Sequence, residues 1–179
     1  MNLQNVEKII NQALSNKKVT PSMIDKLIEG DVTKAFEKNG AIPSYVEKLT
    51  HFSNLSPKSL SWIVKQCKKG NISPSSEMMK SKNINDEMVD LAIKKLPSYF
   101  SALMENENLT EDMLKKISND YHCKGNQYAY IKIMEHPSCT LDVCENIKKN
   151  NADDKDVVNE CDKYIKEKYK QVSEKISDE

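Results

Sequence analysis

Apolar residues along this chain recur as short clusters separated by polar stretches, and the clusters repeat. Four copies are clear: Ala13 and Leu14 lead to VTPSMIDKL, Ala35 and Phe36 to AIPSYVEKL, Leu103 and Met104 to LTEDMLKKI, and Ile133 and Met134 to CTLDVCENI. In each, an anchor lies five positions beyond the apolar pair, at Val19, Ala41, Leu109 or Cys139. Four and five positions later comes a second apolar pair: Met23 with Ile24, Tyr45 with Val46, Met113 with Leu114, Val143 with Cys144. A third row closes the unit with Leu27, Leu49, Ile117 and Ile147. Apolar positions three and four apart mark one buried stripe on a helix. Thr20, Thr110 and Thr140 are good N-cap residues, Pro21 suits the first helical position, and acidic residues follow in the first turn. Helices this short bury a single stripe only by packing on their neighbours, so the pattern predicts a stack.

Weaker copies fill the middle of the chain: LSPKSLSWI from Leu55, ISPSSEMMK from Ile72 and INDEMVDLA from Ile84. Their spacing is tighter and irregular. Beyond residue 150 the pattern changes to Val157, Cys161, Tyr164, Ile165, Lys168 and Val172, one longer amphipathic helix with a charged outer face and a tail, SEKISDE, expected to fray. Solenoids close their ends with such capping elements. Alternating β-branched runs between hairpin turns are missing and there are four glycines, which argues against a sheet. The expected fold class is therefore all-α: an irregular right-handed α-solenoid with a C-terminal capping helix. A repeat array over residues 1–150 would be followed by a charged helix and tail over residues 151–179.

The arrangement of Ser/Thr-Pro or Thr-Glu turns before short helices, best seen in EHPSCTLDVCENI, resembles the variant leucine-rich repeat and related short HEAT-like α-solenoids. The resemblance runs from about Ile9 to about Lys149 and is one of residue classes. It implies a fold and a binding scaffold, not an activity. Some proteins of that kind carry an iron–sulfur cluster in a separate cysteine-rich segment, which this sequence lacks, so no cofactor is expected.

Composition narrows the function classes. All 27 Lys-plus-Arg residues are lysine, a bias typical of low-G+C genomes and of phages. Without arginine there is no forked donor for bidentate phosphate or guanine contacts and no arginine finger. The formal net charge is zero, so nucleic-acid binding would need a locally concentrated basic surface. With 30% charged residues there is no apolar run of membrane-spanning length, and MNLQNVEKII has no signal-peptide core. A cytoplasmic, reduced setting is expected, with the five cysteines as thiols.

Two clusters stand out chemically. His122, Cys123, His136, Cys139, Cys144 and Cys161 are zinc-type ligand residues, but repeat alignment puts Cys67, Cys139 and Cys144 where other copies have aliphatics, and Cys161 on its helix's apolar stripe. These four read as core. Cys123 beside His122 in NDYHCKGNQY reads as a surface thiol on a loop, with a nucleophile–base pair as the competing possibility. Met78, Met79, Met88, Met104, Met113 and Met134 fall mostly on core rows. The second cluster is basic: Lys58, Lys65, Lys68, Lys69, Lys80 and Lys82, opposed within that stretch only by Glu77 and enclosing Trp62. These six lysines are the candidate partner-binding residues; the plain alternative is a solvated face with Trp62 in the core. Asp153, Asp154, Asp156, Glu160 and Asp162 give the C-terminal segment the opposite sign, a polarity that would steer a partner or order a self-assembly contact.

No phosphate-binding glycine loop, Ser-His-Asp order, HExxH or paired-carboxylate motif is visible. The expected function is thus a non-enzymatic helical-repeat module that binds another protein, such as a phage- or mobile-element-encoded adaptor or inhibitor of a host factor. A nucleic-acid binder using the lysine face and an immunity protein neutralising a toxin are the competing readings.

Overall fold

The computed structural model describes residues 2–15 and 18–177, apart from the side chains of residues 172 and 174–177. Among the described residues the chain forms twelve α-helices and no strands, as the periodicity requires. It divides into two compact units, residues 1–102 and 103–179. That boundary differs from the division at 150/151 suggested by the change of surface pattern.

The first unit holds α1 (Leu3–Leu14), α2 (Pro21–Glu29), α3 (Asp31–Lys38), α4 (Tyr45–Leu49), α5 (Pro57–Lys68), α6 (Ser76–Met79) and α7 (Asp86–Ile93). Helix α8 (Leu96–Met104) crosses the boundary. In the first unit α1 packs on α4, α2 on α3 and α5, and α7 on α5 and α6. The second unit holds α9 (Glu111–Ser118), α10 (Gln127–Glu135), α11 (Leu141–Asn150) and α12 (Lys155–Ser177). There α11 lies against α9 and α12, and α10 against α9, α11 and α12.

A polar cap together with an apolar pair around it starts five of these helices. A polar cap accepts the backbone N–H three residues on: Thr20 from Met23, Ser56 from Ser59, Asn85 from Met88, Thr110 from Met113 and Thr140 from Val143. The residue before each cap is apolar, and so is the residue four beyond it: Val19 and Ile24, Leu55 and Leu60, Ile84 and Val89, Leu109 and Leu114, Cys139 and Cys144. Those are the two positions of a hydrophobic staple, which fixes the direction in which the chain enters the helix. The weaker copies at Leu55 and Ile84 thus share their start with the strong ones. In the copy at Ile72 the cap is Ser75, which accepts from the Met78 N–H.

AIPSYVEKL departs from the pattern. Helix α3 ends in a turn where Gly40, at φ 68°, donates to the Glu37 carbonyl and Ala41 to that of Phe36. This turn leaves Ala41 exposed, and Pro43 is buried in its place. Below it Thr33 donates to the Leu27 carbonyl at 2.7 Å and receives the buried Tyr45 hydroxyl at 2.7 Å, which ties α2, α3 and α4 together. The same C-terminal turn follows α5, with Gly70 bound to Cys67 and Asn71 to Gln66.

The second unit's core is built from the predicted rows. Leu103, Leu109, Leu114, Ile117, Ile133, Val143, Cys144 and Ile147 are at most 2% exposed. Asn119 collects the amides of Asn146 (2.9 Å) and Asn150 (2.6 Å), joining α11 to the end of α9. Buried Asn151 accepts from the Tyr130 hydroxyl at 3.0 Å and donates to the Ile147 carbonyl at 2.8 Å, ending α11. Asp154 then caps α12 by accepting from the N–H groups of Asp156 and Val157. Val157 and Cys161 of α12 are buried, whereas the side chain of Val172 lies outside the described set. The helix continues through Ser177, into the segment expected to fray; Asp178 and Glu179 lie outside the described residues.

Candidate binding surfaces

The lysine surface is less basic in three dimensions than along the chain. Lys58 pairs with Glu29 of α2, and Lys68 pairs with Glu87 of α7 at 3.1 Å. Trp62 is half-buried and donates its indole N–H to Glu37 at 3.1 Å. Three carboxylates from other helices therefore enter a region where the local sequence offers only Glu77. Lys65, Lys69, Lys80 and Lys82 are exposed. Ion pairs at this exposure contribute little stability, but they place carboxylates among the lysines and weaken the single-sign field that phosphate binding needs.

Among the described residues no group of three or more His, Cys, Asp or Glu side chains is placed to hold a metal ion. His136 is buried with both ring nitrogens in use: Nδ1 accepts from the Ser138 N–H at 3.1 Å, and Nε2 faces the Asn106 carbonyl at 3.0 Å. A carbonyl can only accept, so Nε2 carries the proton, and neither nitrogen is left for a metal. His122 turns to Asp120, Nδ1 to Oδ1 at 2.6 Å, with its ring against Tyr121.

Cys123 is not the surface thiol expected from its polar neighbours. It is 1% exposed, because the turn after α9 folds it back beneath the helix end, where its Sγ lies 3.4 Å from the Ile117 carbonyl. Burial pushes its thiol up to about 11, which disfavours the thiolate that a nucleophile needs. The other four cysteines are buried, as expected for Cys67, Cys139 and Cys144 from their repeat positions and for Cys161 from its helix's apolar stripe. Burial raises Cys67 to about 11 and Cys161 to about 12. Cys139 and Cys144 touch, Sγ to Sγ at 3.7 Å. Their mutual hydrogen bond holds Cys139 protonated and lowers Cys144 below the usual thiol range.

The most distinctive surface lies elsewhere in the first unit. Helix α1 carries Leu3, Val6, Ile9, Ile10, Ala13 and Leu14 on one broad arc, yet none of its residues is buried. One edge of the arc is fixed to α4: Glu7 accepts from the Ser44 N–H, and Asn11 donates to the Ser44 hydroxyl at 3.0 Å. The rest opens into a groove of about 290 Å³ lined by Ile10, Ala13, Leu14, Val19, Met23, Leu27 and Lys18. Ile9 beside it is 64% exposed and Met23 is 56% exposed. Among the described residues Lys18 is the one lysine lining the groove, and on α2 the exposed Lys26 follows the groove residue Met23 by three positions. The signal for the groove was present in α1's arc, which is wider than its contact with a five-residue helix can cover.

No family model, curated protein or solved structure matches the chain. No helix among the described residues is long and apolar enough to cross a membrane.

Proposed function

We propose that the chain is a non-enzymatic helical-repeat module, an irregular right-handed α-solenoid in its repeat organisation, that binds a protein partner through the α1–α2 groove. The observation that carries this reading is a six-residue apolar arc on α1 without one buried side chain, three of whose residues line an apolar groove shared with α2. The occupant is an amphipathic helix of the partner, laid with its apolar face into the groove, as helix-in-groove recognition requires. Its flank is acidic, because Lys18 lines the groove and Lys26 is exposed on α2. The neutralised lysines at Lys58 and Lys68 support a protein over a nucleic acid as partner.

The test is a display selection of amphipathic helical peptides against the full-length protein. The expected winners carry apolar residues at i, i+3 or i+4, and i+7, flanked by Asp or Glu, and they lose at least about tenfold in affinity with Lys18→Glu/Lys26→Glu. Basic-flanked winners, winners indifferent to the charge reversal, or a dimer that occupies the groove in place of peptide would each overturn it.

A further inference from the structure

Four of the five stapled helix starts use carbon side chains at the two staple positions, and α11 uses two thiols. Aliphatic pairs show that packing alone is served without sulfur. The two positions face each other by construction, which is why the Cys139 and Cys144 sulfurs stand 3.7 Å apart. Cys139 precedes the cap and is outside the helix, and Cys144 is on its first turns, so the pair spans a junction between turn and helix.

We propose that Cys139 and Cys144 are a modification site, closing to a reversible disulfide on two-electron oxidation by hydrogen peroxide and turning the staple of α11 covalent.

Closure shortens the sulfur separation from 3.7 Å to about 2.05 Å, a change that side-chain rotation at a non-helical residue supplies. The nucleophile is the Cys144 thiolate. It is favoured first by the hydrogen bond from Cys139 and then, after the opposing effect of burial, by the Lys168 ammonium. Its sulfur attacks one peroxide oxygen; the S–O bond forms, the O–O bond breaks, and the departing hydroxide takes up a proton as water. The sulfur of Cys139 then attacks the Cys144 sulfur; the S–S bond forms, the S–O bond breaks, and the hydroxyl leaves with the Cys139 proton as a second water. Two thiols lose two electrons and one peroxide becomes two waters. Both sulfurs are buried, so reaction proceeds through opening of the turn over residues 136–140, which is held by the His136 contacts and by the Cys139 N–H to His136 carbonyl bond at 2.9 Å.

Both cysteines lie on one tryptic fragment, between Lys132 and Lys148, whereas Cys161 lies on another. The full-length reduced protein is treated with one equivalent of hydrogen peroxide, denatured, alkylated and digested. The expected product is the fragment from Ile133 to Lys148 two hydrogens lighter and unalkylated, reverting with reductant, with Cys67, Cys123 and Cys161 alkylated. Oxidised protein melts about 5 °C higher than reduced protein, and Cys139→Ala abolishes that difference. Linkage of either cysteine to Cys161, a sulfinic acid at a single cysteine, or full alkylation of all five thiols would overturn the proposal.

Discussion

Helices α1 and α12 are both amphipathic, and the structure treats their apolar faces in opposite ways. Helix α12 buries Val157 and Cys161 against α10 and α11, whose own stripes are thereby closed. Helix α1 buries none of its residues. Fully burying an exposed side chain the size of Ile or Leu contributes about 1.5–3 kcal/mol; the half-buried Leu3, Val6, Ile10 and Leu14 have realised part of that and the exposed Ile9 little of it, whereas Val157 and Cys161 of α12 are buried within the fold. The lesson is that the same stripe serves as core or as recognition surface according to whether a neighbouring helix lies on it.

Substitutions sharpen the contrast in order of size. Leu114→Ala removes a fully buried side chain from between α9 and its neighbours and is expected to lower unfolding free energy by about 3 kcal/mol. Ile10→Ala, on the half-covered arc, should cost less than about 1 kcal/mol. Denaturant titrations of the two variants compare them directly; equal losses would mean that α1 is core.

The thiols give the next effect, through pH. Burial raises Cys123 from 9.0 to about 11, so the folded state keeps a proton that the unfolded state releases. This contribution is whole below pH 9 and is lost as pH rises towards 11, and it amounts to about 3 kcal/mol. Stability of the wild type should therefore fall across that window, and Cys123→Ala should flatten the fall. An unchanged slope would contradict the buried placement. Smaller still are the caps: Thr140→Ala should cost about 1 kcal/mol, and Thr20→Ala about 0.5 kcal/mol, because α2 has less buried surface coupled to its start.

Much of this was legible in sequence because staple and cap are local. Thr20, Thr110 and Thr140 cap the helices assigned to them, and the rows through Leu114, Ile117, Val143 and Ile147 are core. What was not legible depends on long-range contact. Ala41 fits the anchor pattern, but the turn at Gly40 sets it outside and gives its place to Pro43. Cys123 has polar neighbours in sequence and a buried site in space. The six lysines formed a basic run until Glu29, Glu37 and Glu87 arrived from other helices. The groove went unread for the opposite reason: an apolar arc in sequence is taken for core, and only the fold reveals that α4 covers one edge of it and leaves the rest half-covered or open.

The central claim, that the α1–α2 surface is for recognition and not for stability, is tested most directly by Met23→Asp. Its unfolding free energy and its affinity for a selected acidic-flanked helical peptide are measured side by side. The account predicts stability within about 0.5 kcal/mol of wild type, as for an exposed surface position, together with at least about a tenfold loss of affinity, equivalent to about 1.4 kcal/mol. A variant that unfolds, or one that binds the peptide as well as wild type does, would contradict it.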